Sequence, residues 1–139
     1  MDDPFGLQRF LDAQAPVIEQ VRRELRAGRK RSHWMWFVFP QIAGLGFSAM
    51  SQRYAIASRA EAAAYLAHPV LGARLLECTA LVNAVPSATA REILGSPDDM
   101  KFCSCMTLFA AVAPECEEFA EALQKYFGGQ PDAATLAKL

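Results

Sequence analysis

The stretch from Met100 to Val112 is apolar on nearly every side of a helical wheel, with Phe102, Cys103, Cys105, Met106, Leu108, Phe109 and Val112 spread around the axis. A helix of that kind has no face suited to water. It must lie at the centre of a domain, and the rest of the chain must supply elements that cover it. The remaining punctuation is helical too. Pro16 suits a first turn, Val17, Ile18, Val21 and Leu25 follow at helical spacing, and Gly28 stops the run. Ser58-Arg59-Ala60-Glu61 reads as a capping box for a short helix that ends before His68-Pro69. Pro69 opens a longer helix that turns Leu71, Leu75, Cys78 and Val82 inward, and Ser87 is expected to cap a short one closed by Gly95.

Ser96-Pro97-Asp98-Asp99 supplies a cap, a first-turn proline and two carboxylates for the start of the central helix, which should run to about Ala113. Pro114 begins the next helix, with Phe119, Leu123 and Tyr126 inward and Glu115, Glu117, Glu118 and Glu121 in water. Gly128-Gly129 ends it, and Asp132 caps a last short helix. The aromatic run His33 to Phe39 suits a strand as readily as a helical turn, but no second β-like run exists for it to pair with. A short helix or extended segment crossing the core is expected there. The expected fold is all-α: one compact multihelical domain over residues 1–139 with about seven or eight helices.

Composition limits the functional classes. A chain of 139 residues fits one domain and buries roughly 70% of its unfolded surface, so it needs no staples. Hydrophobic residues at 53% against 21% charged exclude disorder. A net charge of −1 and a pI of 6.1 do not describe a general nucleic-acid binder, and sequence-specific nucleic-acid recognition is not expected. The start Met1-Asp2-Asp3-Pro4 lacks the build of a signal peptide, and the longest apolar run is too short to span a bilayer, so a cytoplasmic protein without membrane contact is expected. Cys78, Cys103, Cys105 and Cys116 have neither the spacing nor the histidine partners of a metal site. They read as small buried side chains, and no metal or cofactor is expected.

Two features point to chemistry. Within the apolar central segment, Lys101, Ser104 and Thr107 form one narrow polar stripe; either Lys101 snorkels to water or the stripe faces a polar pocket. The second is a basic cluster. Arg22, Arg23, Arg26, Arg29, Lys30 and Arg31 are six of the 14 Lys/Arg residues within ten positions, against Glu24 alone, and Ser32, His33, Trp34 and Trp36 follow at once. Guanidinium forks recognise phosphate or carboxylate, and an indole can stack on a base. Arg22, Arg23 and Arg26 have the spacing of a solvated helix face, whereas Arg29, Lys30 and Arg31 lie in a turn leading into the core. Acidic residues are biased the other way, with seven between Glu92 and Glu121 against Lys101. Ile42-Ala43-Gly44-Leu45-Gly46 lacks a phosphate-loop lysine and reads as a turn. His33 has the chemistry of a general acid or base, although a histidine beside tryptophans is more often a packing residue; His68 reads as a helix-end residue.

The segment Gly28 to Gln41 resembles the signature of a bacterial and fungal family known as domain of unknown function 1810, some members of which carry the label calpastatin. The resemblance continues through Gly44-Leu45-Gly46, Ser48, Ser51, Tyr54, Tyr65-Leu66, His68-Pro69-Val70-Leu71-Gly72 and Arg74-Leu75 to Asp99-Met100-Lys101 and Ser104 to Phe109. It covers the chain from about Phe5 onward and implies a multihelical single domain. The family pattern has arginine and serine where this chain has Cys103 and Cys105, so no role carries over to those positions; Lys101, Ser104 and Thr107 match. The calpastatin label is rejected on physical grounds, because an inhibitor of that type is long, polar and disordered.

Two expectations follow. In the first, the chain binds an anionic or nucleotide-like small molecule, with enzymatic processing as its extension: Arg29, Lys30, Arg31 and Lys101 bind charge, Trp34 or Trp36 stacks, and Gln41, Thr107, Ser104 or His33 orients the ligand, with His33 and Ser104 the candidates for catalysis. This requires Lys101 and the turn at residues 29–33 to face one hollow. In the second, the basic turn and the acidic face dock a protein partner or a second copy of the chain, with no chemistry.

Overall fold

The structure is a computed structural model that describes residues 3–139. Among those residues it is 60% helical, with ten helices and no strand. They are α1 (Gln8–Gln14), α2 (Ile18–Arg26), α3 (Met35–Val38), α4 (Ala49–Arg53), α5 (Arg59–Ala67), α6 (Leu71–Asn83), α7 (Ala90–Leu94), α8 (Asp98–Val112), α9 (Glu117–Phe127) and α10 (Ala133–Leu136). The all-α class stands, and the count exceeds the expected seven or eight because short helices open the chain and follow the aromatic run.

α8 is the central helix foreseen from its composition. From Phe102 to Phe109 every side chain is buried, and α5, α7, α9 and α10 pack around it. Two strings of aromatic rings cross it. One runs from Trp34 through Phe39 to Phe102, which also meets Tyr126 and Phe127. The other runs from Phe37 through Tyr54, Phe10 and Tyr65 to Phe109 and Phe119. Both strings start in the run that sequence left between helix and extended chain. That run is one helical turn, α3, flanked by irregular, bent residues, and its aromatic side chains divide between the two halves of the core. Each such ring contributes roughly 1.5–3 kcal/mol by leaving water.

Several caps differ from expectation. Thr89, not Ser87, opens α7, accepting from Glu92 N while Glu92 accepts from Thr89 N; Ser87 instead carries a positive φ of 54° in the turn before it. Ser96 makes no cap bond to α8, which starts at Asp98 behind Pro97. Ser58 caps α5 by accepting from Glu61 N, but Glu61 reaches past it to Ala57 N and holds Arg9 at 2.7 Å, so the box is only half formed. α1 was not foreseen because its cap lies further off: Asp3 accepts from Leu7 N and Gln8 N. Those bonds hold the Asp3 carboxyl below its ordinary range.

Candidate functional site

The basic turn is organised by alternation. Residues 29–34 leave α2 as an irregular segment, bent at Ser32 and His33, along which exposed and buried side chains alternate. Lys30 and Trp34 turn inward, with Lys30 9% exposed along its side chain and Trp34 1% exposed, while Arg29, Arg31 and His33 all face water. The segment is fixed by Glu24, whose buried carboxylate accepts from Arg31 N at 2.7 Å, Ser32 N at 3.1 Å, Trp34 Nε1 at 2.9 Å, Gln20 Nε2 at 2.9 Å and the Ser32 hydroxyl. Burial pushes this carboxyl up, but the bonds from Ser32, Arg31, Trp34 and Gln20 outweigh it and bring the pKa to about 2. Glu24 therefore stays ionised and is wholly committed to the turn.

On the inner side, the Lys30 ammonium lies 2.9 Å from Asp98 Oδ2, at the start of α8, and 5.2 Å from the centre of the Trp34 ring. Lys101, one turn along α8, lies 3.8 Å from the other oxygen of Asp98 and 5.5 Å from the centre of the Trp36 ring. Two lysines distant in sequence thus share one carboxylate, and each stands over an indole. Lys101 meets the basic turn, through Lys30, at an ion-pair cluster on Asp98, and neither lysine is among the residues lining the cleft beside Trp36. Arg29 and Arg31 are on the other side of the segment and do not join it.

Trp36 continues from Lys101 into a cleft of about 180 Å³, lined also by Gln41, Ile42, Ala43, Gly44, Gly46, Ser51, Gln52, Tyr54 and Ala55. A single parallel bridge between Ile42 and Ile56 shapes it, with Ala43 N donating to Ile56 O and Ile56 N to Gln41 O, both at 2.8 Å. Gly44 holds φ at +97°, and a Cβ there would meet the Lys138 ammonium at 2.9 Å. Lys138, just beyond α10, thereby stands against Gly44 of the cleft. The half-buried Gln41 side chain has no hydrogen-bond partner among the described residues, whereas Gln52 Nε2 donates to Phe47 O.

The other predicted residues lie elsewhere. The Trp34 ring is enclosed and offers no face for stacking. Ser104 and Thr107 do not line a pocket: Ser104 Oγ donates to Asp132 at 2.9 Å, and Thr107 Oγ1 donates to Cys103 O while accepting from Asp132 N, both at 2.8 Å. The polar stripe is a latch for the start of α10, and it is through α10 that Lys138 reaches Gly44. His33 is exposed and stands on the outer side, away from Asp98. Asp98, Tyr54 and Lys138 escaped sequence reasoning. An i,i+3 Asp98–Lys101 pair was readable, but the approach of Lys30, Tyr54 and Lys138 depends on packing.

The four cysteines are unpaired; Cys78, Cys103 and Cys105 are buried and Cys116 half-buried. Burial raises all four thiols, Cys78 to about 12, so none is prepared as a nucleophile. Among the described residues no group of three His, Cys, Asp or Glu is placed to hold a metal ion, and no helix is long and apolar enough to cross a membrane.

These observations define an all-helical protein with a small amphiphilic cleft, bounded by Trp36 of the short α3 turn, by the Ile42–Ile56 bridge and by the glycines and polar residues that follow it. The chain belongs to the family described as protein of unknown function DUF1810, whose model matches residues 4–139. It is similar to the crystal structure of the conserved hypothetical protein Rv1873 from Mycobacterium tuberculosis, at 57% identity and a TM-score of 0.97, with 99% of this chain and 98% of that chain covered. No curated protein matches.

Proposed function

We propose that the cleft beside Trp36 binds a small anionic molecule carrying one planar ring, of the kind a mononucleotide represents. The observation that carries this reading is the placement of a partly exposed indole, Trp36, and the unpartnered amide of Gln41 on the wall of one hollow, with the Lys101 ammonium 5.5 Å from the Trp36 ring and the Lys138 ammonium against Gly44. A cavity of about 150 Å³ accommodates benzene, so this cleft has room for a ring while an acidic tail extends along its rim. Trp36 and Tyr54 supply apolar walls, Gln41 offers both a donor and an acceptor to a ring edge, and the lysines neutralise charge. The four free thiols fit a protein kept in the reducing cytoplasm.

Thermal-shift titration with AMP, UMP and the corresponding nucleosides tests the reading. A mononucleotide at a hundred times its Kd should stabilise the wild type by about 2.7 kcal/mol, raising Tm by roughly 10 °C. Lys101→Ala and Gln41→Ala should each shrink that shift, and nucleosides should give less than nucleotides. No shift with any mononucleotide, or equal shifts in wild type and both variants, would overturn it.

A further inference from the structure

We infer that the cleft beside Trp36 holds the ring of its ligand as a neutral, single-ring lactam of the uracil type, and that the Tyr54 hydroxyl is a specificity-determining contact to that ring. The inference rests on the mononucleotide reading and adds which kind of base the ligand carries. Among the described residues no charged side chain lines the cleft, so what enters it is recognised by hydrogen bonds and shape. Lys101 and Lys138 stand outside the lining, where they meet an acidic tail rather than the ring.

Tyr54 is the residue of this wall that packing alone does not explain. It is 7% exposed, and its ring lies against those of Phe37 and Phe10, with centroids 5.4 Å and 5.8 Å away. Phenylalanine would serve that packing as well. A tyrosine hydroxyl so nearly enclosed ordinarily finds a partner. The other two tyrosines of the chain do: Tyr65 accepts from Gln14 Nε2 at 3.0 Å, and Tyr126 donates to Val82 O. The Tyr54 hydroxyl has none among the described residues. It is not sealed from solvent either, for the buried side-chain atoms left without a partner belong to Thr79, Asn83 and Asp99. The small surface that Tyr54 keeps therefore includes its hydroxyl, on a residue that forms part of the cleft wall.

The group that shares this condition is Gln41. Gln52, on the same wall, commits its Nε2 to Phe47 O, and the Ser51 hydroxyl is bonded to that of Ser48, which leaves Gln41 as the amide with donor and acceptor both free. The Ile42–Ile56 bridge ties the segment bearing Gln41 to the one bearing Tyr54, with Ile56 N donating to Gln41 O at 2.8 Å, so both groups are set on fixed backbone before any ligand arrives.

A primary amide carries N–H and C=O side by side, and its complement on a ring is an adjacent C=O and N–H, the edge of a lactam. Uracil has that edge and a second carbonyl beyond the N–H, to which the Tyr54 hydroxyl can donate. Adenine also offers an amide one acceptor and one donor, but it has no second carbonyl. Size separates the two further. A cavity of about 150 Å³ holds benzene, so a cleft of about 180 Å³ takes one six-membered ring and leaves the second ring of a purine outside.

Isothermal titration calorimetry of wild type and Tyr54→Phe with UMP, AMP, uridine and the ring-N-methylated analogue of UMP tests this. UMP should bind about tenfold more tightly than AMP or the methylated analogue, which keeps the size of UMP but lacks the ring N–H. Tyr54→Phe should weaken UMP about fivefold and leave AMP unchanged. Its unfolding temperature should match the wild type, because the aromatic packing remains. AMP or the methylated analogue binding as tightly as UMP, or equal UMP affinity in wild type and Tyr54→Phe, would overturn the inference. If AMP and UMP bind alike and both lose affinity in Lys101→Ala, the mononucleotide reading stands and the choice of base falls. If uridine binds as tightly as UMP with the methylated analogue rejected, the base stands and the anionic part of the reading falls. Absence of binding by both UMP and uridine overturns the two together.

Discussion

Glu24 occupies the middle of a basic run, yet its role there is structural: its carboxylate is the anchor on which residues 31–34 are hung. Glu24→Gln keeps the shape but turns an amide nitrogen toward donors, leaving buried N–H groups without an acceptor. The variant should lose about 3 kcal/mol or more in denaturant titrations. The same residue sets an acid limit. A carboxyl lowered from 4.5 to about 2 contributes stability that is complete above the unfolded value and is lost as pH falls from about 4.5 through about 2. Tm should drop across that window in the wild type, with the Glu24 share of the drop missing from Glu24→Gln. At this scale the sequence showed the right residue types but could not sort them. Arg29, Lys30 and Arg31 form one cluster in the chain, and only the folded course of the segment separates the inward lysine from the outward arginines. Trp34 and Trp36 were equivalent stacking candidates for the same reason, and burial removed the first.

Among the elements, those with local signals were legible. Ser58 and Asp132 cap where expected because a side-chain oxygen meets a backbone N–H three residues on. α1 was not, since its capping carboxylate lies four and five residues before the N–H groups it serves. The α5–α6 junction shows a constraint visible only in packing. A Cβ on Gly72 would fall 2.0 Å from the backbone oxygen of Leu66, and that oxygen belongs to a neighbouring helix that cannot simply swing away. Gly72→Ala, favourable by helix propensity, should instead destabilise the protein by about 1–3 kcal/mol in chemical unfolding. A neutral or stabilising result would mean that α5 and α6 are less closely apposed.

Across the whole molecule the two aromatic strings tie α1, α3, α5, α8 and α9 together, and side chains of α2 and α6 complete the same single core, so its interior should open as a unit. Cys78, Cys103 and Cys105 lie in that core, and Cys116 at its edge. Native protein should therefore expose one slowly reacting thiol to a disulfide reagent, with the other three appearing at the rate of global unfolding. Early reaction of a second thiol would show that part of the core opens independently. The amino-acid order alone determined the all-α class, the central position of α8 and most helix limits, because apolar periodicity and capping are local properties of the chain. Tertiary structure decided the site. Ser104 and Thr107 became a latch for α10 rather than a pocket wall, Lys138 reached Gly44, and Lys30 met Lys101 across Asp98. Such meetings depend on where helices cross and which way each side chain turns, and neither is encoded in the spacing of residues along the chain.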